Sequence, residues 1–389
     1  MTVTPEAMDA LRLAGDPPAD DVVDALFERG DIGKFNTLMR WFAQSGQPLP
    51  DDVPEEARDY LHATATPPDW VDWDQMEKAR LFFIRNNVHI STALSFAAMP
   101  ACYVIPHVAR LLSATHSLDY PSKRMAETGQ FTLYLMRPDA FEAGGRFLPA
   151  AQKVRLLHAS IRHHLRRENH WDEAALGVPI CQEDMIGGQM MFSIQVLDAL
   201  HRMGIHISNE GAEAYFYAWR VVGAILGVDT RVAPTDLAEA RDFSDLYMAR
   251  HMGPSGEGVT LTRQLIDLYE QVVPGTLFDP AVPALIRYLI GDTCADWLQV
   301  PRSPWDKAIT LAPTLLGILE RIEDSSPLGA WALDRLGDLT TRFELSSLTR
   351  GRVMQYAIPE HLHDEHDVTS TKHRTDPWTP PPLSTQLPN

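Results

Sequence analysis

The 389-residue sequence predicts an all-α protein. Three observations carry that expectation. Apolar residues recur at three- and four-residue spacing through most of the chain, which is the period of an amphipathic helix. Alternation of period two, the mark of a half-buried strand, is scarce. Pro, Gly and Asp interrupt the periodic runs where helices start and stop. Hydrophobic residues make up 45% of the chain and charged residues 22%. That balance supports a sizeable core and excludes wholesale disorder.

The elements follow in order. Short helical segments occupy about 5–14, 19–30, 32–45 and 54–63, punctuated by Pro50, Pro54, Pro67 and Pro68. Longer ones lie near 73–98, 101–114, 120–136, 150–168, 182–203, 209–226, 236–252, 260–273, 281–300, 306–322 and 328–346. The most apolar stretch, Ala93 to Ala109, carries Pro100, Pro106 and His107 and reads as a broken core helix, not a membrane span. No repeat of fixed period is present. From about 358 the composition changes: His361, His363, His366 and His373 precede Pro377, Pro380, Pro381 and Pro382. Such a segment is expected to wrap the surface or stay mobile. The expected organisation is an N-terminal helical extension over 1–66, a large helical domain over 67–357 and a tail over 358–389.

Charge and cysteine usage narrow the function classes. Thirty-four basic residues stand against 52 acidic ones, a net charge of −18, and only six of the basic residues are Lys. A nucleic-acid binder needs a basic face, so nucleic acid is not an expected partner. Cys102, Cys181 and Cys294 lie far apart, with no CxxC or CxxCH. A zinc ribbon, a dithiol redox motif and covalent haem attachment are thereby excluded, and the sparse count suits a reducing compartment. The start, Met1 to Glu6, has no basic n-region, apolar h-region or twin-Arg signal, so a mature cytoplasmic protein is expected. No P-loop, GxGxxG, GxSxG or HExxH motif appears.

Two helices carry candidate chemistry. In the segment 120–136, Asp119 suits a cap, Pro121 the first turn and Pro138 the end. Arg124, Thr128, Phe131 and Leu135 form one stripe, with Glu127 at its border. Polar groups entering an apolar face are costly unless paired or wetted by a ligand. An Arg124–Glu127 surface pair, with Thr128 bonding back to the backbone, satisfies them equally. In the segment 150–168, Val154, His158, Ile161 and Leu165 form a second stripe, so His158 lies within an apolar face. Lys153, Arg162, Arg166 and Arg167 fall elsewhere, and His163 and His164 read as surface residues. A buried imidazole is satisfied by a metal on one nitrogen and a carbonyl on the other, or by two ordinary hydrogen bonds. Both readings stand on the residues alone. Cys181 is a weak thiolate candidate. Gln182, Glu183 and Asp184 read as a helix N-terminus, where acids suit the dipole. Met185, Met190, Met191, Phe192, Tyr215, Tyr217 and Trp219 read as packing residues. His361, His363 and His366 are weak metal candidates in a tail.

Taken together, Arg124-Met-Ala-Glu127-Thr128 and a histidine 34 residues after Arg124 resemble the haem-binding region of the rubber oxygenase (latex clearing protein) family, which includes the fungal oxygenase of mycophenolic acid biosynthesis. Further matching stretches are Met99-Pro-Ala-Cys-Tyr103, Ala126-Glu-Thr-Gly-Gln130, Gln152-Lys-Val-Arg-Leu-Leu-His-Ala159, Gly177-Val-Pro-Ile-Cys-Gln-Glu-Asp184 and Trp219-Arg-Val-Val-Gly223. The resemblance spans about 67–300. It implies a globin-like helical bundle around a non-covalent haem b. His158 would be the proximal iron ligand, and Arg124, Glu127 and Thr128 the distal, catalytic side. Two departures stand out. The distal Lys of the rubber-cleaving enzymes is Glu127 here. The family's upstream catalytic glutamate falls near His107 and Val108, where no acid stands.

The resemblance implies a haem-dependent oxygenase acting on an apolar small molecule, with oxidative cleavage of an isoprenoid double bond by dioxygen as the family chemistry. Haem iron needs an axial ligand, an apolar pocket and a tuned distal side. Thr128 is a hydrogen-bond donor toward oxygen. Arg124 is a partner for a propionate or for developing negative charge, Glu127 an acid or base, and Arg155 a partner for the other propionate. Peroxide in place of dioxygen would make the protein a peroxidase or peroxygenase. A haem-binding or gas-sensing protein without catalysis is a third reading, and a cofactor-free helical interaction protein a fourth.

Overall fold

A computed structural model of the chain describes residues 4–31, 33, 39, 42–114, 121–167, 171–272 and 280–309. Among these residues every regular element is helical, as the apolar spacing predicts. Three N-terminal helices come first: α1 Pro5–Arg12, α2 Pro17–Arg29 and α3 Glu55–Ala63. Thr4 caps α1, its hydroxyl accepting from the Ala7 amide at 3.2 Å. Gly30, at φ 70°, closes α2 in the left-handed region that glycine adopts without strain.

Met8 and Leu11 of α1 already belong to the main apolar cluster. Helix α4 Trp73–Ala93, capped by Asp72, follows and runs through a π-helical turn, Leu94–Ala98, into α5 Met99–Tyr103. Its direction then changes by 98° into α6 Pro106–Ala114. Pro106 cannot continue the preceding helix, so the apolar stretch breaks there; Pro100 lies within α5 and interrupts nothing, so the break expected at 99–100 falls at 104–105. No single described helix is long and apolar enough to cross a membrane. The chain continues as α7 Pro121–Leu135, α8 Phe147–Arg167, α9 Glu173–Leu176, α10 Gln182–Phe192, α11 Ile194–Arg202, α12 Asn209–Ile225, α13 Leu237–His251, α14 Gly256–Val272, α15 Ala281–Ile290, α16 Asp292–Trp297 and α17 Trp305–Ile309.

Two expected helices are each divided. The segment 182–203 breaks at Ser193, whose backbone is distorted from regular helix values, at φ −111°, ψ −75°, and whose hydroxyl bonds back to the Gln189 carbonyl at 2.7 Å. The segment 281–300 breaks at Gly291, at φ 83°, ψ 158°. The expected helix 328–346 and the tail from 358 lie outside the described residues, as do most of 32–45 and of 306–322.

Three apolar clusters organise the packing. The largest takes Phe131 and Leu135 from α7, Phe147 and Ala151 from α8, Ile186 and Met190 from α10, and Tyr215 and Trp219 from α12. A second joins Val23 and Leu26 of α2 and Ala57 and Leu61 of α3 to Leu156 and Ala159 of α8. A third holds Leu112 of α6 against Leu261 and Leu265 of α14 and Ile286 of α15. Helix α8 therefore contributes to two clusters at once. Truncating its fully buried Leu156 to Ala would cost about 2–5 kcal/mol.

This double coverage corrects one expectation. Lys153 and Arg162, placed off the apolar stripe by their spacing, are only 6% and 1% exposed. His163, expected at the surface, stacks on Phe27 with ring centroids 4.2 Å apart and bonds Asp24 at 2.5 Å. Spacing on α8 reveals a single apolar face, whereas α2 and α3 cover a second face.

Candidate active site

Helices α7 and α8 are joined by the short connection 136–146, and aromatic contacts hold them together there. The Phe131 and Phe147 rings lie 5.2 Å apart, and Phe141 packs on Phe147 at the same separation. Moving away from this junction along α7, Thr128 and Glu127 come within about one turn and Arg124 within two. Along α8, His158 comes about three turns, or roughly 16 Å, beyond Phe147 at 1.5 Å per residue. The candidate residues thus sit on two helices that share one aromatic contact near their connection.

Glu127 and Thr128 are neighbours on α7 and both are half-buried. The Thr128 carbonyl accepts from the Thr132 hydroxyl at 3.1 Å, a back-bond within the helix. Arg124 belongs to α7, but its side chain is outside the described residues. His158 is half-buried on α8, and its Nδ1 is closed to solvent. Of the stripe expected on α8, Val154 packs against the main cluster, Ile161 against the cluster shared with α2 and α3, and Leu165 is buried, so its residues divide between two clusters.

Arg155 has a different partner from the propionate expected of it. Its Nε and Nη2 donate to the two carboxylate oxygens of Asp16 at 2.6 and 2.7 Å, and the Asp16 carboxylate is 2% exposed. A bidentate pair of this kind fills the planar guanidinium fork. The arginine therefore ties the N-terminal segment to α8.

A second polar assembly gathers at the N-terminus of α10, which the spacing identified only as a helix start. Cys181 is the cap, its sulfur accepting from the Asp184 amide at 3.4 Å. Burial pushes the Cys181 thiol well above its ordinary range, and the nearby Asp184 charge adds to this. Asp184 lies 2.8 Å from His107 Nε2 and 3.1 Å from the Tyr247 hydroxyl. Glu183, fully buried, lies 2.9 Å from His251 Nε2 and 2.9 Å from Arg12 Nη1. The His107 and His251 rings meet edge-on at 4.9 Å. Burial would raise the Asp184 carboxyl, but the hydrogen bond and charge of His107, joined by Arg12, outweigh it and hold it at about 2. The sequence carries no local signal for this cluster, because His107, Asp184 and His251 come from α6, α10 and α13.

The helical bundle is that of an oxidoreductase of the oxygenase class, as its family match shows. Residues 86–319 match the family described as ER-bound oxygenase mpaB/B'/Rubber oxygenase, catalytic domain, and the chain belongs to that family. It is 24% identical over 351 residues to the rubber oxygenase of Streptomyces sp. (strain K30), covering 89% of this chain and 85% of that protein. Its fold is similar to that of the latex clearing protein LCP in the closed state, with a TM-score of 0.76, 23% identity, and coverage of 90% of this chain and 95% of the other.

Proposed function

We propose that the chain is a haem b-dependent oxygenase acting on an apolar small molecule, with His158 as the axial ligand. What carries the reading is the donor set. No group of three His, Cys, Asp or Glu side chains able to hold a metal ion occurs among the described residues. His158 offers one imidazole from a largely apolar helix face. A porphyrin brings four of the iron's ligands itself, so a single imidazole is what such a group asks of the chain. The resemblance around Arg124, Glu127, Thr128 and His158 supports the same assignment.

Bound haem would supply the iron centre for oxygen activation. The chain's own residues do the rest. His158 holds the group from α8. On α7, the Thr128 hydroxyl would donate a hydrogen bond toward the oxygen site and the Arg124 guanidinium would offset negative charge there. Glu127 holds or accepts a proton at its carboxylate. The relative from Streptomyces is a rubber oxygenase, so an isoprenoid carbon–carbon double bond, cleaved with dioxygen, is the substrate we assign by analogy. No disulfide joins any of the three cysteines, which suits a reducing compartment. Glu127, a half-buried carboxylate where the rubber-cleaving enzymes carry Lys, favours a second reading as a peroxidase or peroxygenase. Turnover with dioxygen and no peroxide supports the first reading; strict dependence on peroxide supports the second.

The test is His158→Ala with haem content and the visible spectrum as readouts. Loss of bound haem is expected. Full retention with an unchanged spectrum overturns the assignment.

A further inference from the structure

Two buried ion pairs flank His158 on its own helix. Arg155 lies three residues before it and Arg162 four residues after, so both sit on adjoining turns of the same side of α8. Each is neutralised by an aspartate of the N-terminal segment. Asp16 takes Arg155 in the bidentate pair described above. Asp20 takes Arg162 Nε at 2.6 Å, and Arg162 Nη1 donates to the Ile180 carbonyl at 3.1 Å. Asp20 also accepts from the Asp16 amide at 3.1 Å, so the two acids brace each other.

Two glycines close over these pairs. A Cβ at Gly227 would lie 2.7 Å from Arg155 Nε and would collide with the Asp16 carboxylate, and its φ of 94° suits glycine alone. A Cβ at Gly15 would meet the second Asp20 oxygen at 2.8 Å. One side chain holds both glycines in place. Gln182 Nε2 donates to the Gly15 and Gly227 carbonyls at 2.9 Å each, and Gln182 Oε1 accepts from the Asp229 amide at 2.8 Å. Gln182 is itself buried, so these bonds are made away from water.

We propose that Asp16 and Asp20 are positioning residues for the haem ligand: by locking Arg155 and Arg162 on either side of His158, they fix the rotation of α8 and cancel the charge beside the imidazole. This inference rests on the reading of His158 as the axial ligand. The physical argument has two parts. Planar guanidinium–carboxylate pairs are directional, and two of them about two turns apart leave α8 little freedom to roll. An uncompensated buried guanidinium one turn from an iron ligand would stabilise the reduced iron, because the extra electron is attracted to the cation.

The experiment uses the full chain with Asp16→Asn, Asp20→Asn, Asp16→Glu and the exchange pair Asp16→Arg with Arg155→Asp. In the haem-loaded protein, the two Asn variants are expected to lose haem about tenfold faster and to shift the iron midpoint potential upward. Asp16→Glu keeps the charge and should return the potential toward wild type, as should the exchange pair. A lower melting temperature with the potential and haem loss unmoved would reduce the pairs to staples for the fold and overturn the inference. In the haem-free chain, amide hydrogen exchange along 155–162 should accelerate in the Asn variants. Gly227→Ala, which disturbs the Asp16–Arg155 pair from the far side without touching a charge, should do the same. Unchanged exchange in all three also overturns it. Failure of the wild-type chain to take up haem would reject the ligand assignment, and the exchange arm would still decide whether the aspartates hold α8.

Discussion

His107 and Asp184 meet at 2.8 Å inside the bundle, although α6 and α10 place them 77 positions apart. Asp184 also takes the Tyr247 hydroxyl and faces Arg12 at 3.4 Å. Its carboxyl is held at about 2, below the ordinary 3.8, because His107 and Arg12 outweigh the effect of burial. The folded value lies below the unfolded one. The stabilisation is therefore complete above about pH 4 and is lost as pH falls through about 2. A displacement of nearly two units corresponds to about 2–3 kcal/mol. Asp184→Asn should cost that much at pH 7 in denaturant melts. The gap from wild type should close as the pH is lowered from 4 to 2. A gap that persists at pH 2 would show that the carboxylate charge is not what stabilises the cluster.

Lys153 makes the opposite contribution. The residue is 6% exposed, and no charged or hydrogen-bonding neighbour among the described residues offsets the burial of its amine. Desolvation alone lowers it from 10.5 to about 8. Between those values the unfolded chain binds more protons than the folded one, so stability rises with pH across the window. Below about pH 8 the folded chain bears the full cost of charging a buried amine, about 3 kcal/mol. Lys153→Met keeps the length and removes the charge. It should stabilise the protein at pH 7 by up to that amount and be neutral near pH 10.5. An equal gain at both pH values would assign the effect to packing.

The helical class and the order of most helices are legible in the sequence because each depends on local signals. Asp72, Ser208 and Asp236 accept from backbone amides at the starts of α4, α12 and α13. The apolar part of the α7 stripe, Phe131 and Leu135, is legible for the same reason, since residues four apart on a helix must be neighbours. The partners of the site residues are not. Asp16 reaches Arg155 across 139 positions, and no pattern on either helix announces the other. The same limit hid Lys153 and Arg162. A helix covered on two sides buries polar residues that its periodicity assigns to solvent. Breaks within helices were missed where one side chain or one glycine decides them, as at Ser193 and Gly291.

Gly187 tests the packing that delivers Tyr247 to Asp184. A Cβ there would lie 2.5 Å from Tyr247 Cζ, inside any real contact distance. Tyr247 is 1% exposed and has nowhere to retreat. Gly187→Ala should therefore displace the ring and break its hydrogen bond to Asp184. A cost of about 1–3 kcal/mol is expected from overpacking, with a change in the near-ultraviolet signal of the buried tyrosine. Because Asp184→Asn weakens the same bond, the double variant should cost less than the sum of the two. Strict additivity would mean that Gly187 and Asp184 act on separate structures.

Glu127 offers the sharpest division of labour between holding a cofactor and using it. It stands on α7 beside Thr128, whereas the proposed ligand His158 stands on α8. Glu127→Gln preserves the shape and removes the exchangeable proton. If Glu127 moves a proton during turnover, this variant should bind haem as wild type does while turnover falls by about 10²–10⁴. The limb of the pH–rate profile that reports the carboxyl should disappear with it. Thr128→Val removes the neighbouring hydroxyl at constant volume and should lower turnover without altering that limb. Equal turnover in Glu127→Gln and wild type would take the carboxylate out of the chemistry and leave Arg124 and Thr128 as its remaining distal candidates.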